Sequence, residues 1–229
     1  MVEKLAKKLG IKFNNLDLLR QAVTHRSYLN EHKDYKLDHN ERLEFLGDAV
    51  LELVVTEFLY ANYPNPEGEL TNWRASLVNG EMLAKISGKI GVEEFLLMSR
   101  GEAKDTGKAR QYLLANAFES ITGAIYLDQK EEGYDACKEF ILKNVVVELP
   151  AIIESKSYMD PKSSFQEESQ EKVGITPSYK VMEESGPDHA RKFVVGVYLE
   201  QELIASGEGM SKQEAQRNAA AAGLKAKGW

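Results

Sequence analysis

The chain has 229 residues, of which 43% are hydrophobic and 28% charged, and its net charge is −7 at pH 7. That length and apolar share support one large domain or two modest ones with real cores, and they exclude a disordered or fibrous chain. The negative balance weighs mildly against a nucleic-acid partner, so any such binding must rest on local basic groups.

No apolar run approaches the roughly 20 residues that span a bilayer, and the opening MVEKLAKKLG has lysines without an apolar signal core. The expectation is a soluble, untargeted protein with no membrane partner. Cys137 is the single cysteine. It rules out an internal disulfide and fits a reducing compartment such as the cytoplasm, and within EEGYDACKEF it reads as helix packing.

From Lys4 to about Ser155, apolar residues recur at helical spacing between short polar connectors, which predicts an all-α domain over residues 1–154. IKFNNLDLLRQAVTHRSYLNE reads as a turn with an Asn cap followed by a helix. The next helix runs from about Glu41 to Asn62, where YPNPEGE stops it. TNWRASLVNGEMLAKISGKIG gives one or two more helices, and SRGEAKDTGKA is a loop containing Gly and Lys. QYLLANAFESITGAIYLD is a helix rich in small residues, and another follows from about Glu131 to Val147.

A polar linker over residues 155–159 leads to a smaller α+β domain over 160–229 with the order α-β-β-β-α. Asp160 and Pro161 make an N-cap and N1 pair for a helix through KSSFQEESQEKV. PSYKVMEES, KFVVGVYLE and ELIASGE read as three strands, with Phe193, Val195, Val197 and Leu199 alternating onto one face. SKQEAQRNAAAAGLKAKG is a closing helix.

The helix that opens NERLEFLGDAVLEL carries Glu41, Glu44, Asp48 and Glu52 on one narrow arc, with Leu43, Leu46, Val50 and Val54 opposite. Solvated faces normally interleave signs, because like charges at i,i+4 cost a few tenths of a kcal/mol. A plain surface ridge is the competing reading. Two residues favour a site: Gly47 in mid-helix implies a close approach to the backbone, and Phe45 lies on the acidic side, away from the core stripe. A second helix supplies Asn116 and Glu119 at i,i+3 among Ala115, Ala117, Gly123 and Ala124, small enough for tight packing. Inward carboxylates from two helices make a plausible cage for a hard cation.

NERLEFLGDAV closely resembles the signature of the bacterial ribonuclease III family, and ANAFESITGAIYLD resembles its second acidic motif. LGIKFNNLDLLRQAVTHRSYLNE matches the family's opening, and the smaller domain resembles its double-stranded RNA-binding module. The resemblance implies a homodimeric endonuclease that cleaves double-stranded RNA with Mg²⁺ (or Mn²⁺ in its place), processes ribosomal RNA precursors and other structured transcripts, and leaves 5′-phosphate and 3′-hydroxyl ends. Carried onto matching positions, Glu44, Asp48, Asn116 and Glu119 are the implied metal ligands. Glu41 and Glu67 are implied acidic residues near the RNA, and Phe45 is the aromatic that plugs into the partner subunit. Position 116 departs from the family's usual Asp. An amide oxygen still coordinates Mg²⁺ but brings no charge, so weaker metal affinity is expected. The alternative is a double-stranded RNA-binding protein whose nuclease site is weakened or inactive.

In the smaller domain, Ser163, Gln166 and Gln170 share one helix face, where neutral side chains suit 2′-hydroxyls and base edges of the shallow RNA minor groove. GPDHAR offers Pro187 and His189 to a second minor groove, and Ser211 and Lys212 at the last helix start face the phosphates between. SKQEAQRN has only Lys212 and Arg217 where the family often has a lysine run, so weak binding by this module alone is expected. His25 reads as an ordinary helix histidine, His32 and His39 lack metal-ligand spacing, and Trp73 and Trp229 read as packing. No Gly-rich phosphate loop occurs, so no nucleotide cofactor is expected.

Overall fold

The computed structural model describes residues 2–156, 158–187 and 191–229. The chain opens with α1 (Val2–Leu9), α2 (Leu16–Ala22) and α3 (Arg26–Glu31), followed by α4 (Glu41–Asn62), α5 (Glu67–Val78) and α6 (Gly80–Ile90). Next come α7 (Lys108–Asp128), α8 (Gly133–Asn144) and α9 (Leu149–Ser155), with short 3₁₀ turns between α6 and α7 and on either side of α8. After them lie α10 (Pro161–Val173), β1 (Ser178–Ser185), β2 (Lys192–Leu199), β3 (Glu202–Gly209) and α11 (Lys212–Lys227). The chain divides into two units, the first ending at Tyr158 and the second beginning at Met159. Tyr158 packs edge-on against Trp73 in the first unit, with ring centroids 6.0 Å apart.

Three parts of the first unit differ from the sequence expectation. The helix expected after the Asn cap is two helices. Asn15 caps α2, but the chain breaks at Val23, and His25 caps α3 by accepting from the Ser27 N–H. The break is held from a distance: His25 N–H donates to the Leu97 carbonyl and Leu97 N–H to that of Val23, at 2.8 Å each. No local pattern encodes such a pairing. The helix expected from about Glu131 to Val147 is α8, which stops at Asn144, and a separate helix that was not expected, α9, follows from Leu149. YPNPEGE ends α4 as expected, but its Glu67 already opens α5 behind Pro66.

The first unit is built around α4 and α7. α4 carries buried residues on one face, among them Leu43, Val50, Leu51 and Val54, whereas α7 is buried on nearly every side, with Ala117, Phe118, Ile121 and Ile125 fully enclosed. Two glycines let the backbones touch. A Cβ at Gly47 would stand 1.8 Å from the Glu119 carbonyl oxygen, and one at Gly123 would stand 2.2 Å from that of Leu43. The helices therefore cross at the level of the acidic residues, which explains a mid-helix glycine that is unfavourable by roughly 0.5–1 kcal/mol on propensity alone.

In the second unit, Asp160 caps α10 by accepting from the Lys162 and Ser163 N–H groups, with Pro161 at the first turn. The sheet is antiparallel in the order β1-β2-β3. Phe193, Val195, Val197 and Leu199 are all buried, and Phe165 of α10 and Ala219 and Ala220 of α11 pack with this face. The packing is close: a Cβ at Gly207 would lie 2.1 Å from the Ala219 nitrogen.

Gly47→Ala is expected to destabilise the protein by about 2 kcal/mol or more, since overpacking costs of about 1–3 kcal/mol arise even where side chains can move. At Gly68, an exposed position in α5 where an added Cβ meets nothing within 4 Å, Ala is expected to be stabilising by about 0.5–1 kcal/mol. Urea unfolding of both variants checks the contrast; equal effects would contradict the α4–α7 contact.

Candidate active site and RNA-binding face

The site is assembled by backbone before any side chain takes part. Asn40 N–H donates to the Thr24 carbonyl at 2.9 Å, which anchors the start of α4. The Asn40 carbonyl accepts from the Glu44 N–H at 2.9 Å and from the Ser120 hydroxyl at 3.3 Å. Ser120 is buried one position beyond Glu119, and its single proton is shared with the Asn116 carbonyl, the nearer acceptor at 2.7 Å. This hydroxyl thus joins the first turn of α4 to the turn of α7 that carries Asn116 and Glu119. Sequence reasoning missed it, because a serine in a small-residue helix carries no signal of its distant partner.

Around that joint the structure brings together Glu44, Asp48, Asn116 and Glu119. Burial, then the charges of Asp48 and Glu44, push the Glu119 carboxyl up to about 7. Burial also raises Glu44, with the charges of Glu41 and Asp48 adding to it and a hydrogen bond from Asn116 working in the opposite direction. One Glu44 oxygen, Oε2, is shut off from solvent without a hydrogen-bond partner. Such an orphaned anionic oxygen is costly unless a cation or donor reaches it.

The donor set, three carboxylates and an amide, is all oxygen, which suits a hard divalent ion such as Mg²⁺. Among the described residues, no three acidic, histidine or cysteine side chains stand close enough to enclose an ion as placed. Glu44 and Glu119 are raised first by burial and then by the neighbouring carboxylate charges, and a cation would offset both causes. The residues fit the ion by chemistry and by position on facing helices, and closing on it would relieve both groups.

The acid line is not unanswered along its whole length, contrary to the expectation from α4 alone. Arg74 of α5 pairs its Nε with Glu52 at 3.1 Å, and Arg26 of α3 lies 3.7 Å from Glu41. The middle members, Glu44 and Asp48, have no ion pair among the described residues. Glu67 is not in the cluster within one chain: it accepts from the Thr71 hydroxyl and lines a cavity with Thr56, Tyr60 and Arg74, further along α4 than Asp48. Phe45 is 82% exposed, in line with its direction away from the core stripe. His25 serves as the α3 cap, and burial lowers its imidazole below the ordinary value.

In the second unit Ser163, Gln166 and Gln170 are exposed on one side of α10, while Ser164, Phe165 and Ser169 are buried on the other. Gln170 donates to the Thr176 hydroxyl at 3.3 Å. Pro187 is exposed, and His189 lies outside the described residues. Ser211 caps α11 by accepting from Glu214 N–H at 3.1 Å, and Lys212 stands exposed with its Nζ 5.6 Å from the Phe193 ring centroid. Arg217 lies 3.8 Å from Asp160, too far for a hydrogen bond, with its side chain 64% exposed.

Comparison with known proteins supplies the class. Residues 15–149 match the family model described as Ribonuclease-III-like, and residues 161–226 match that of the double-stranded RNA binding motif. The curated Ribonuclease 3 of Nitratiruptor sp. is 43% identical over 98% of this chain and 96% of its own length. That of Enterococcus faecalis is 42% identical over the same shares. The solved nuclease domain of ribonuclease III from Campylobacter jejuni is 39% identical and covers 66% of this chain and 99% of its own, with a TM-score of 0.58. The fold and the site thus define an endoribonuclease joined to a double-stranded RNA-binding module. The chain belongs to the ribonuclease III family.

The raised Glu119 gives a sign-definite expectation. Its folded value of about 7 exceeds the ordinary 4.5, so its contribution to stability is fully present below about pH 4.5 and is lost as pH rises through about 7. In EDTA, Glu119→Gln is expected to melt higher than the parent at pH 8, with the gap closing toward pH 4.5. A gap independent of pH would contradict the placement of Glu119 among carboxylates.

Proposed function

We propose that the chain hydrolyses double-stranded RNA at a Mg²⁺-dependent centre formed by Glu44, Asp48, Glu119 and Asn116, with Mn²⁺ as a substitute, and that it acts as a homodimer. The products carry 5′-phosphate and 3′-hydroxyl ends. The substrates are ribosomal RNA precursors, messenger RNA and other structured transcripts, met in the cytoplasm. No helix among the described residues is long and apolar enough to cross a membrane, in keeping with that setting.

The observation that carries the metal-dependent reading is the buried, partnerless Glu44 oxygen beside Asp48 and across from the elevated Glu119. When bound, a divalent ion supplies a polarised water and neutralises charge building on phosphorus. The chain's own residues set the geometry. Glu44 and Glu119, half-buried, form the inner wall, and Asp48, exposed on the same line, faces the side from which a strand must come. Asn116 contributes an amide oxygen and no charge. In this reading the 2′-hydroxyl is recognised by Ser163, Gln166 and Gln170 and is not the nucleophile. Pro187, His189, Ser211 and Lys212 complete the module's contacts, and Glu41 and Glu67 flank the RNA.

The homodimer is supported by Phe45, Leu53 and Tyr60, which are 82%, 57% and 83% exposed on one stripe of α4. A cavity of about 720 Å³ lined by Leu18, His39, Leu46 and Leu127 opens beside Phe45, of a size to receive the same ring from a second copy. The Campylobacter jejuni nuclease domain is described as having a region involved in dimer formation.

Two measurements check this reading. A unit charge about 4 Å from another contributes about 1 kcal/mol even in bulk water and more near a protein surface. Asn116→Asp is therefore expected to lower the Mg²⁺ concentration for half-maximal duplex cleavage by on the order of tenfold; an unchanged titration curve would remove Asn116 from the metal centre. Phe45→Ala is expected to raise the dimer dissociation constant at least about 30-fold, as for a buried anchor worth about 2 kcal/mol. Sedimentation equilibrium reads it, and an undisturbed dimer would exclude Phe45 from the interface.

A further inference from the structure

We infer that Arg26 and Arg74 are phosphate-binding residues that bracket the acid line of α4, so that the strand to be cut is held on both sides of the metal-binding residues. The inference rests on the reading of the chain as a double-stranded RNA endonuclease. It starts from a contrast within one line of four acids. The outer two are matched with arginines, Glu41 with Arg26 and Glu52 with Arg74. The inner two, Glu44 and Asp48, have no ion pair among the described residues, and one Glu44 oxygen is buried without a hydrogen-bond partner there.

A row of carboxylates repels the polyanion that it must cleave, and a chain of net charge −7 offers no general attraction. Cations beside the row have to do the holding. Arg26, the first residue of α3, has a side chain 71% exposed, and its 3.7 Å separation from Glu41 is too long for a hydrogen bond. Its forked donors are thus available to a phosphate. Arg74 is held more firmly, by Glu52 at its Nε and by the Thr56 hydroxyl 3.0 Å from its Nη1, which leaves Nη2 to donate elsewhere.

Glu41 and Glu52 are separated by about 16 Å along the helix axis, at a rise of about 1.5 Å per residue, and Asp48 lies between them. A strand laid along α4 therefore sets one phosphate on each guanidinium and a third over the inner acids. Glu41 and Glu52 act as positioning residues for the arginines. Glu52 keeps Arg74 in place while its Nη2 reaches the phosphate, and Glu41 draws Arg26 toward the line without occupying its donors.

The test uses the full chain and an RNA duplex in EDTA, so that nothing is cut, with affinity measured across a range of salt concentrations. Arg26→Ala and Arg74→Ala are each expected to flatten the dependence of log K on log salt by about one, and Arg26→Lys and Arg74→Lys to restore it, since Lys also binds phosphate as a point charge. Gln166→Ala, which removes a neutral group, is expected to weaken binding with the slope unchanged. Arg26 is exposed enough that its Ala variant tests the idea even if Arg74→Ala does not fold. If the parent cuts the duplex in a parallel assay with Mg²⁺ while Arg26→Ala keeps the parental slope in EDTA, the bracket is overturned and the endonuclease reading stands. If the parent neither binds nor cuts the duplex, both fall together.

Discussion

Everything at the acidic centre depends on the contact between the backbones of α4 and α7 at Gly47 and Gly123. Neither glycine is needed for a turn, and neither has a positive φ. Their role is the absence of a side chain, which brings one helix against the carbonyl groups of the other. A wider crossing would hold Glu44 and Asp48 out of reach of Asn116 and Glu119, and the residual charges would be ordinary surface acids. The Ser120 hydroxyl adds direction to this closeness, because it fixes the first turn of α4 against a chosen turn of α7.

The same contact explains why the site is electrostatically costly. Packing that excludes water from Glu44 and Glu119 also removes the solvent that would screen them, so both carboxyls rise. A fold selected for stability alone would put apolar residues or arginines there. Arginines do appear, but at the ends of the line, where Arg26 and Arg74 stand. The protein concentrates uncompensated charge at the middle of one helix and neutralises it on either side, a pattern that a purely structural ridge has no reason to adopt.

Much of this was legible in the sequence because it is periodic. The bounds of α4 followed from its polar start and from the prolines beyond Asn62, and the capped start of α10 from Asp160 and Pro161. The alternation through β2 named its buried face. Helical spacing put Glu44 and Asp48 on one face and Asn116 with Glu119 on another helix, the family resemblance implied that the four belong together, and Gly47 announced a close neighbour without naming it. What escaped was non-local. The break at Val23 is made by Leu97, the joint at Ser120 by Asn40, and the pairs Arg26–Glu41 and Arg74–Glu52 join different helices. Neither arginine shares a period with its acid, so reading α4 alone made the whole line seem unanswered. Glu67 could be associated with the acids only by resemblance, and the fold sets it further along α4, beside Tyr60.

The central claim is that carboxylates from two helices, pressed together by glycines, are reconciled by one kind of divalent cation. Anomalous diffraction from crystals soaked in Mn²⁺ tests it most directly. The expected result is a peak bonded to oxygens of Glu44, Asp48 and Glu119, with the Asn116 amide turned toward it and the Glu44 Oε2 atom no longer without a partner. Fully occupied surface sites elsewhere, with no peak between α4 and α7 and the four side chains unmoved, would contradict it.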